Sequence, residues 1–152
     1  MKKIGILYHP LKESAYPLAQ KLEKFLTAKG ISVWVSSAWE EEAAKANMDG
    51  TDLILSVGGD GTILRAAQLV IPGTTPITGI NLGNLGFMTE LSVDEAQSGL
   101  TRLLNGEGWV DERALRCRGA ALEAALARPE RPSRWTFPMT ALRVIPPSSA
   151  AI

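Results

Sequence analysis

Residues 53–62 read Leu-Ile-Leu-Ser-Val-Gly-Gly-Asp-Gly-Thr, an apolar run followed directly by a glycine-rich turn. A short run that is apolar throughout is typical of a central parallel strand buried on both faces. The apolar segment 63–71 that follows is typical of a helix, and Pro72-Gly73 ends it. This stretch is therefore predicted to be a strand, a turn and a helix, the unit from which open α/β sheets are built.

The same alternation continues on both sides of this unit. Further strands are predicted at residues 3–8, 31–35 and 77–80, and further helices at residues 14–29, 40–47 and 92–104. The last helix opens with Ser-Val-Asp-Glu, a capping box. The expected fold class is α/β, with a doubly wound, mostly parallel sheet over residues 1–112.

The composition of the chain changes near residue 112. Residues 1–112 carry nine Lys or Arg against 14 Asp or Glu, whereas residues 113–152 carry seven Arg against two Glu. Five of the nine prolines lie in that shorter part, and no Asp or Asn occurs beyond Asp111. We therefore expect a second unit over residues 113–152, an irregular Arg/Pro/Ala-rich tail in which residues 120–127 form a short helix and residues 141–145 an edge strand.

Several classes of protein are disfavoured by simple counts. The formal net charge is zero, without the basic excess of nucleic-acid or anionic-membrane binders. No apolar stretch approaches the roughly 18 residues of a membrane-spanning helix, and the run at residues 4–7 is too short for a signal peptide. The single cysteine, Cys117, cannot form an internal disulfide, and no Cys/His cluster has zinc-ligand spacing. We expect a cytoplasmic protein without nucleic-acid or membrane partners.

The turn at residues 58–62 is a candidate phosphate site. Ligands of open α/β sheets bind beyond the carboxyl ends of the strands, and the first N–H groups of a helix favour phosphate. Glycine at three of the five positions lets the backbone approach phosphate oxygens and permits positive φ. The structural alternative is a tight turn with Thr62 as the helix N-cap. Asp60 favours the functional interpretation, because no such turn requires an acidic residue there.

A second glycine-rich loop follows the predicted strand at 77–80. Residues 79–87 read Gly-Ile-Asn-Leu-Gly-Asn-Leu-Gly-Phe. The amides of Asn81 and Asn84 are suited to ribose hydroxyls or base edges, and Phe87 is either a ring that packs on a base or a core side chain. Elsewhere, His9 is predicted to lie in a loop, and the four tryptophans are predicted to be packing residues.

Together the two loops resemble those of the NAD kinase family. The resemblance covers residues 1–112 and rests on Gly-Gly-Asp-Gly-Thr, on the Ile-Leu-Arg-Ala-Ala that follows it, and on the second loop continued through Met-Thr-Glu at residue 90. The first motif also occurs in diacylglycerol and sphingosine kinases and in 6-phosphofructokinases. The second loop makes the resemblance specific.

This resemblance implies ATP-dependent phosphorylation of the 2′-hydroxyl of the adenosine ribose of NAD, giving NADP, with Mg²⁺ or another divalent metal on the ATP phosphates. Asp60 matches the family's catalytic aspartate, which accepts or orients the hydroxyl proton. Gly61 and Arg65 match positions that contact NAD, and Phe87 matches an aromatic residue near the adenine. Gly58, Gly59 and Thr62 match the rest of the phosphate-facing turn. The partners implied are NAD and ATP, and the full-length family tends to form homo-oligomers.

The resemblance ends near Arg116. Family members continue into a β-rich second domain that supplies an Asn followed by Asp or Glu to the NAD ribose, and this sequence has no Asn after residue 111. We expect a shifted reading frame near Arg116 or a truncated gene to account for the difference, and a genuine divergent tail is the alternative. Two other functions stay open: a non-catalytic nucleotide-binding fragment, and a lipid kinase domain with the same first motif. The second loop and the lack of a membrane-binding surface disfavour the lipid kinase.

Overall fold

Strands and helices alternate along the chain, in a computed structural model that describes residues 1–83, 88–117 and 135–144. The strands are β1 (Lys3–Tyr8), β2 (Ser32–Ser37), β3 (Leu53–Gly58), β4 (Ile77–Asn81), β5 (Leu91–Ser92), β6 (Gly108–Cys117) and β7 (Trp135–Val144). The helices are α1 (Ala15–Thr27), α2 (Glu41–Asn47), α3 (Asp60–Val70) and α4 (Ala96–Leu104). The predicted α/β alternation is therefore confirmed from β1 to α4.

The described strands form one sheet in the order β2–β1–β3–β4–β7–β6, with β5 also paired to β4. Strands β1 to β4 are parallel to one another. The chain passes from β1 outward to β2 and then returns to the other side of β1 as β3. The order of the strands reverses between β1 and β3, so their carboxyl ends form the switch point where open α/β sheets bind ligands.

Helices cover both faces of this parallel sheet. The side chains of α1 and α4 share one apolar cluster with Leu55 and Val57 of β3. Those of α2 and α3 share a second cluster with Ile54, whose side chain points to the opposite face because successive residues of a strand alternate. Every residue of β3 is buried, which confirms the prediction of a central strand covered on both faces.

The part of the sheet beyond β4 differs from the prediction. An irregular tail was expected, yet Trp135–Val144 is a ten-residue strand that pairs antiparallel with β6 along its whole length. The prediction is wrong for residues 135–140, because the ladder bonds to β6 outweigh local signals such as Phe137-Pro138. The strand predicted at residues 141–145 is present over 141–144, although it lies between β4 and β6 and not at the edge of the sheet. Proline has no backbone N–H to donate to a neighbouring strand, and Pro138 is tolerated because β7 pairs only with β6 at this position. The register pair between β7 and β4 is Ala141 with Ile77.

Two other expectations for the tail have different outcomes. The predicted short helix at residues 120–127 lies outside the described residues. The predicted boundary between residues 112 and 113 falls within β6, and the division of the chain into two units stays a prediction.

The Ser92–Glu95 bonds of the predicted capping box are present, but the predicted helix start at residue 92 is wrong, because the box lies in the turn before α4 and the N-cap of α4 is Glu95. The hydroxyl of Ser92 donates to Glu95 Oε2 at 2.6 Å, the Ser92 N–H donates to the same oxygen at 3.2 Å, and the Glu95 N–H returns a bond to Ser92 Oγ at 3.4 Å. These bonds from Ser92 lower the pKa of the Glu95 carboxyl. A local hydrogen-bond pattern of this kind depends on neighbours in the chain, which is why the sequence alone reveals it.

Replacing Ser92 by alanine is expected to return the pKa of Glu95 toward its ordinary value of 4.5. Because the folded pKa is lowered, the box stabilises the fold fully above that pH and loses its effect as the pH falls through the lowered value. Carboxyl-carbon NMR titration measures the change. Asp52 is the internal control, since the N–H groups of Lys2 and Lys3 lower its pKa instead. A Glu95 pKa that stays low in Ser92→Ala would contradict the assignment.

Candidate functional site

The first glycine-rich turn joins β3 to α3 at the switch point of the sheet. Gly59 is the N-cap of α3 in an extended conformation (φ −124°), and its carbonyl accepts the N–H groups of Thr62 at 3.0 Å and Ile63 at 3.3 Å. The helix thus begins three residues before the predicted position, and the interpretation of Thr62 as the N-cap is wrong. Asp60 is therefore the first helical residue, where the helix dipole favours a negative charge.

The three glycines of the turn have different structural roles. None of them has positive φ, a conformation that the described chain shows at Gly30, Gly50 and Gly106. The positive φ that glycine permits is therefore not used in this turn. A Cβ on Gly58 would lie 2.2 Å from Thr62 Oγ1, so close packing of the turn on itself requires glycine there.

Gly59 and Gly61 are on the open side of the turn. A Cβ at either position would meet no atom of the described residues within 4 Å. Glycine is therefore not needed there for packing, and the backbone at both positions is accessible to an approaching ligand. The N–H of Gly61 belongs to the first turn of α3, where helix geometry provides no intrahelical acceptor for the earliest N–H groups, whereas those of Thr62 and Ile63 already donate to the Gly59 carbonyl.

The side chain of Thr62 is buried against the turn. Its side chain is 1% exposed, and within the described part of the chain its hydroxyl has no hydrogen-bond partner. The hydroxyl lies against Gly58 rather than on the open side of the turn. A direct role for Thr62 in ligand binding stays a prediction.

Asp60 joins the first turn to the second glycine-rich loop. The N–H of Met88 donates to Asp60 Oδ1 at 3.2 Å, and the N–H of Leu82 donates to the carbonyl of Gly58 at 3.1 Å. Gly79 allows α3 to pack closely here, since a Cβ on it would lie 2.5 Å from Ile63 Cδ1. The two loops therefore lie side by side, with the carboxylate of Asp60 held between them.

The amides of the second loop are only partly described. Asn81 ends β4 opposite Gly58 and is 5% exposed. Its Oδ1 accepts the N–H of Gly83 at 3.1 Å, so this side chain closes a local turn. Asn84 and Phe87 lie outside the described residues, and the expectations for them stay predictions.

Arg65 lies on the exposed face of α3 together with Gly61, one turn closer to the helix start. Its guanidinium carbon is 4.2 Å from the centroid of the Trp39 ring, and the His9 ring meets that indole at 4.6 Å and 60°. His9 follows β1 and Trp39 lies just beyond β2, so both come from the carboxyl ends of strands adjacent to the switch point.

The prediction of packing roles for the tryptophans has a mixed outcome. Trp34 is buried, and its Nε1–H donates to Thr51 Oγ1 at 3.1 Å. Trp39 is 42% exposed and stacks on a cation instead. Residues 58–62 were identified as a candidate site because they directly follow a strand, and Trp39 also lies just after a strand. That position is the sequence signal by which Trp39 could have been identified. The side chains of Trp109 and Trp135 lie outside the described part.

The described residues contain neither a preformed metal site nor a helix that could span a membrane. No group of three or more His, Cys, Asp or Glu side chains is arranged to hold a metal ion there. Over the same residues, no helix combines the length and the apolar character that crossing a bilayer requires.

Comparison with known proteins finds the same family over most of the described chain. The family model described as the ATP-NAD kinase N-terminal domain matches residues 32–108. An NAD kinase from Dehalococcoides mccartyi is 53% identical over 114 residues, which are 75% of this chain and 40% of that protein. An NAD kinase from Chloroflexus aurantiacus is 36% identical over 115 residues, 76% of this chain and 42% of that protein.

Solved structures give the same result for the fold. The crystal structure of an NAD kinase from Archaeoglobus fulgidus in complex with ATP matches with a TM-score of 0.53 and 26% identity, over 76% of this chain and 42% of that one. Yeast NADH kinase complexed with NADH matches with a TM-score of 0.56 over 91% of this chain and 46% of that one, and its 18% identity supports the fold alone. The chain spans about two fifths of the length of the curated relatives it matches.

Alanine substitutions at Gly58 and Gly61 distinguish a glycine that close packing requires from one whose Cβ position is open. Gly58→Ala is expected to lower the free energy of unfolding by about 1–3 kcal/mol, because the new methyl group meets buried Thr62. Gly61→Ala places its methyl group in open space within a helix and is expected to leave stability unchanged or raise it by up to about 1 kcal/mol. Urea unfolding of both variants measures the difference, and equal losses would contradict the assignment.

Proposed function

Because the chain belongs to the NAD kinase family, we propose that it carries the N-terminal part of a site for ATP-dependent phosphorylation of NAD to NADP. The observation that supports this best is the placement of Asp60. Its carboxylate lies at the start of α3, at the switch point of the sheet, between the two glycine-rich loops. Both a phosphate and a hydroxyl nucleophile can be bound at such a position.

In the proposed reaction Asp60 orients the 2′-hydroxyl of the adenosine ribose and accepts its proton. The ribose oxygen forms a bond to the γ-phosphorus of ATP, the bond to the β–γ bridging oxygen breaks, and ADP leaves. Phosphoryl transfer of this kind passes through a loose transition state, so that positioning and neutralisation of charge matter more than a strong base. A carboxylate fixed by the Met88 N–H at 3.2 Å is suited to positioning.

The remaining parts of the turn would bind the charged groups of the nucleotides. Gly59 and Gly61 expose backbone to a phosphate, and Arg65 adds a positive charge one helical turn further on. Within the described chain no carboxylate forms an ion pair with Arg65. Phe87 is proposed to lie near the adenine, and Gly58 and Thr62 to complete the turn.

Mg²⁺ is proposed to enter with ATP. Mg²⁺ at phosphoryl-transfer sites takes most of its ligands from water and from substrate phosphates, with one or two carboxylates from the protein. Asp60 is proposed as the proton acceptor and not as a metal ligand, so the metal would be held by water and the ATP phosphates. The metal would neutralise charge on the phosphates when bound.

The other proposals concern the context of the protein. We propose a cytoplasmic enzyme whose partners are NAD and ATP, and homo-oligomers for the full-length family. The family assignment and the second loop disfavour the lipid kinase alternative. A non-catalytic nucleotide-binding fragment is the second outcome that the assay below distinguishes.

Asp60→Asn is expected to fold as the parent chain does but to lose about 100- to 10,000-fold in turnover. The substitution keeps an oxygen that can accept the Met88 N–H while removing the proton acceptor. An NADPH-coupled assay with NAD and Mg–ATP measures turnover, and urea unfolding of both proteins is the control. Unchanged turnover in the variant would overturn the role of Asp60. Nucleotide binding without turnover in the parent chain would indicate the binding fragment instead.

A further inference from the structure

Arg65 is held by an aromatic support that the proposed reaction does not explain. Its guanidinium lies 4.2 Å above the indole of Trp39, within the distance at which a cation and an aromatic face attract. An exposed arginine otherwise samples many rotamers, and ordering it on a ligand costs conformational entropy. An indole already in contact with the guanidinium reduces that cost before any ligand binds.

Trp39 is itself fixed to the ends of three strands. Its backbone N–H donates to the hydroxyl of buried Ser37 at 3.2 Å, and the backbone N–H of Ala38 donates to the carbonyl of Tyr8 at 2.9 Å. The His9 ring meets the indole at 4.6 Å, and the His9 N–H donates to the carbonyl of Val57 at 3.0 Å. The indole is therefore anchored to the carboxyl ends of β1, β2 and β3 rather than to a separate surface loop.

The direction of Arg65 is favourable for binding an anion beside the turn. Side chains of a helix lean toward its N-terminus, so Arg65 covers surface near Gly61, where the backbone is open. The pocket that Trp39 and Arg65 share with Glu41 and Gln68 has a volume of about 50 Å³, enough for a few waters, and the guanidinium already covers one face of the indole. The indole thus acts through the guanidinium and is not a base-stacking platform in this arrangement.

We propose that Trp39 is a positioning residue, which holds Arg65 ready for the pyrophosphate of NAD. This inference rests on the proposed function, since NAD is the ligand, but it concerns a residue outside the two glycine-rich loops. Pyrophosphate is the anionic part of NAD, and a planar guanidinium matches phosphate oxygens in two hydrogen bonds at once.

A double-mutant cycle tests the proposal on the full chain. The variants are Trp39→Leu, Trp39→Phe, Arg65→Gln and Trp39→Leu/Arg65→Gln, and isothermal titration measures the Kd for NAD and, separately, for inorganic pyrophosphate. Trp39→Leu is expected to weaken both ligands about two- to fivefold, and Trp39→Phe to retain most of the affinity. Once Arg65 is glutamine, Trp39→Leu is expected to have no further effect. Equal weakening with and without Arg65 would overturn the proposal.

A matched control is available at the opposite edge of the sheet. Lys29 Nζ lies 5.1 Å from the centroid of the Phe25 ring near the end of α1. Phe25→Leu removes a contact of the same type and is expected to leave both affinities unchanged. The Arg65 Nε–H resonance, shifted by the indole ring current, is expected to move in Trp39→Leu and not in Phe25→Leu.

The two ligands separate the failure of this inference from that of the proposed function. Coupling between Trp39 and Arg65 for pyrophosphate, with no binding of NAD, would support the positioning role and overturn NAD as the substrate. Binding of NAD without coupling would retain the proposed function and overturn the positioning role. Binding of neither ligand would overturn both.

Discussion

The burial of β3 on both faces is the constraint on which the rest of the structure depends. A strand without an exposed face requires a helix layer on each side of the sheet, and α1 with α4 and α2 with α3 supply those layers. Parallel neighbours then need crossover connections, which bring the chain back over the sheet between strands. The residues after β1 and β3 consequently lie together at one edge, and the candidate site is built from them.

At that edge of the sheet, the position of the candidate site depends on close packing of the backbone at two glycines. Gly58 lets the first turn fold onto Thr62, and Gly79 lets α3 approach the second loop. The result is a carboxylate, Asp60, at the start of a helix with the Met88 N–H against it. Rigid elements on both sides hold the group that the proposed phosphoryl transfer needs in a fixed position, which matters for a reaction governed by positioning.

The candidate site could be predicted only in part, and its residues show why. Asp60 stands out in the sequence because a glycine-rich turn after a buried strand does not require an acidic residue. Trp39 and His9 have only the weaker signal of following a strand, since their importance comes from the contacts of Trp39 with His9 and with Arg65. The sequence also could not distinguish Gly58, which close packing requires, from Gly59 and Gly61, which lie beside open space. That distinction depends on the surrounding atoms.

The sequence by itself determined the alternation of strands and helices, the buried character of β3 and the capping box at Ser92, because each depends on periodicity or on neighbours a few residues away. The tertiary structure alone decided the pairing of β6 with β7, the early start of α3 at Asp60 and the stacking of Arg65 on Trp39. The strand pairing and the stacking arise from contacts between segments far apart in the chain, whereas the helix start is set by the Gly59 carbonyl, which accepts the N–H groups of Thr62 and Ile63. The free energy of contacts between distant segments overrides local preference, as the strand through Pro138 shows.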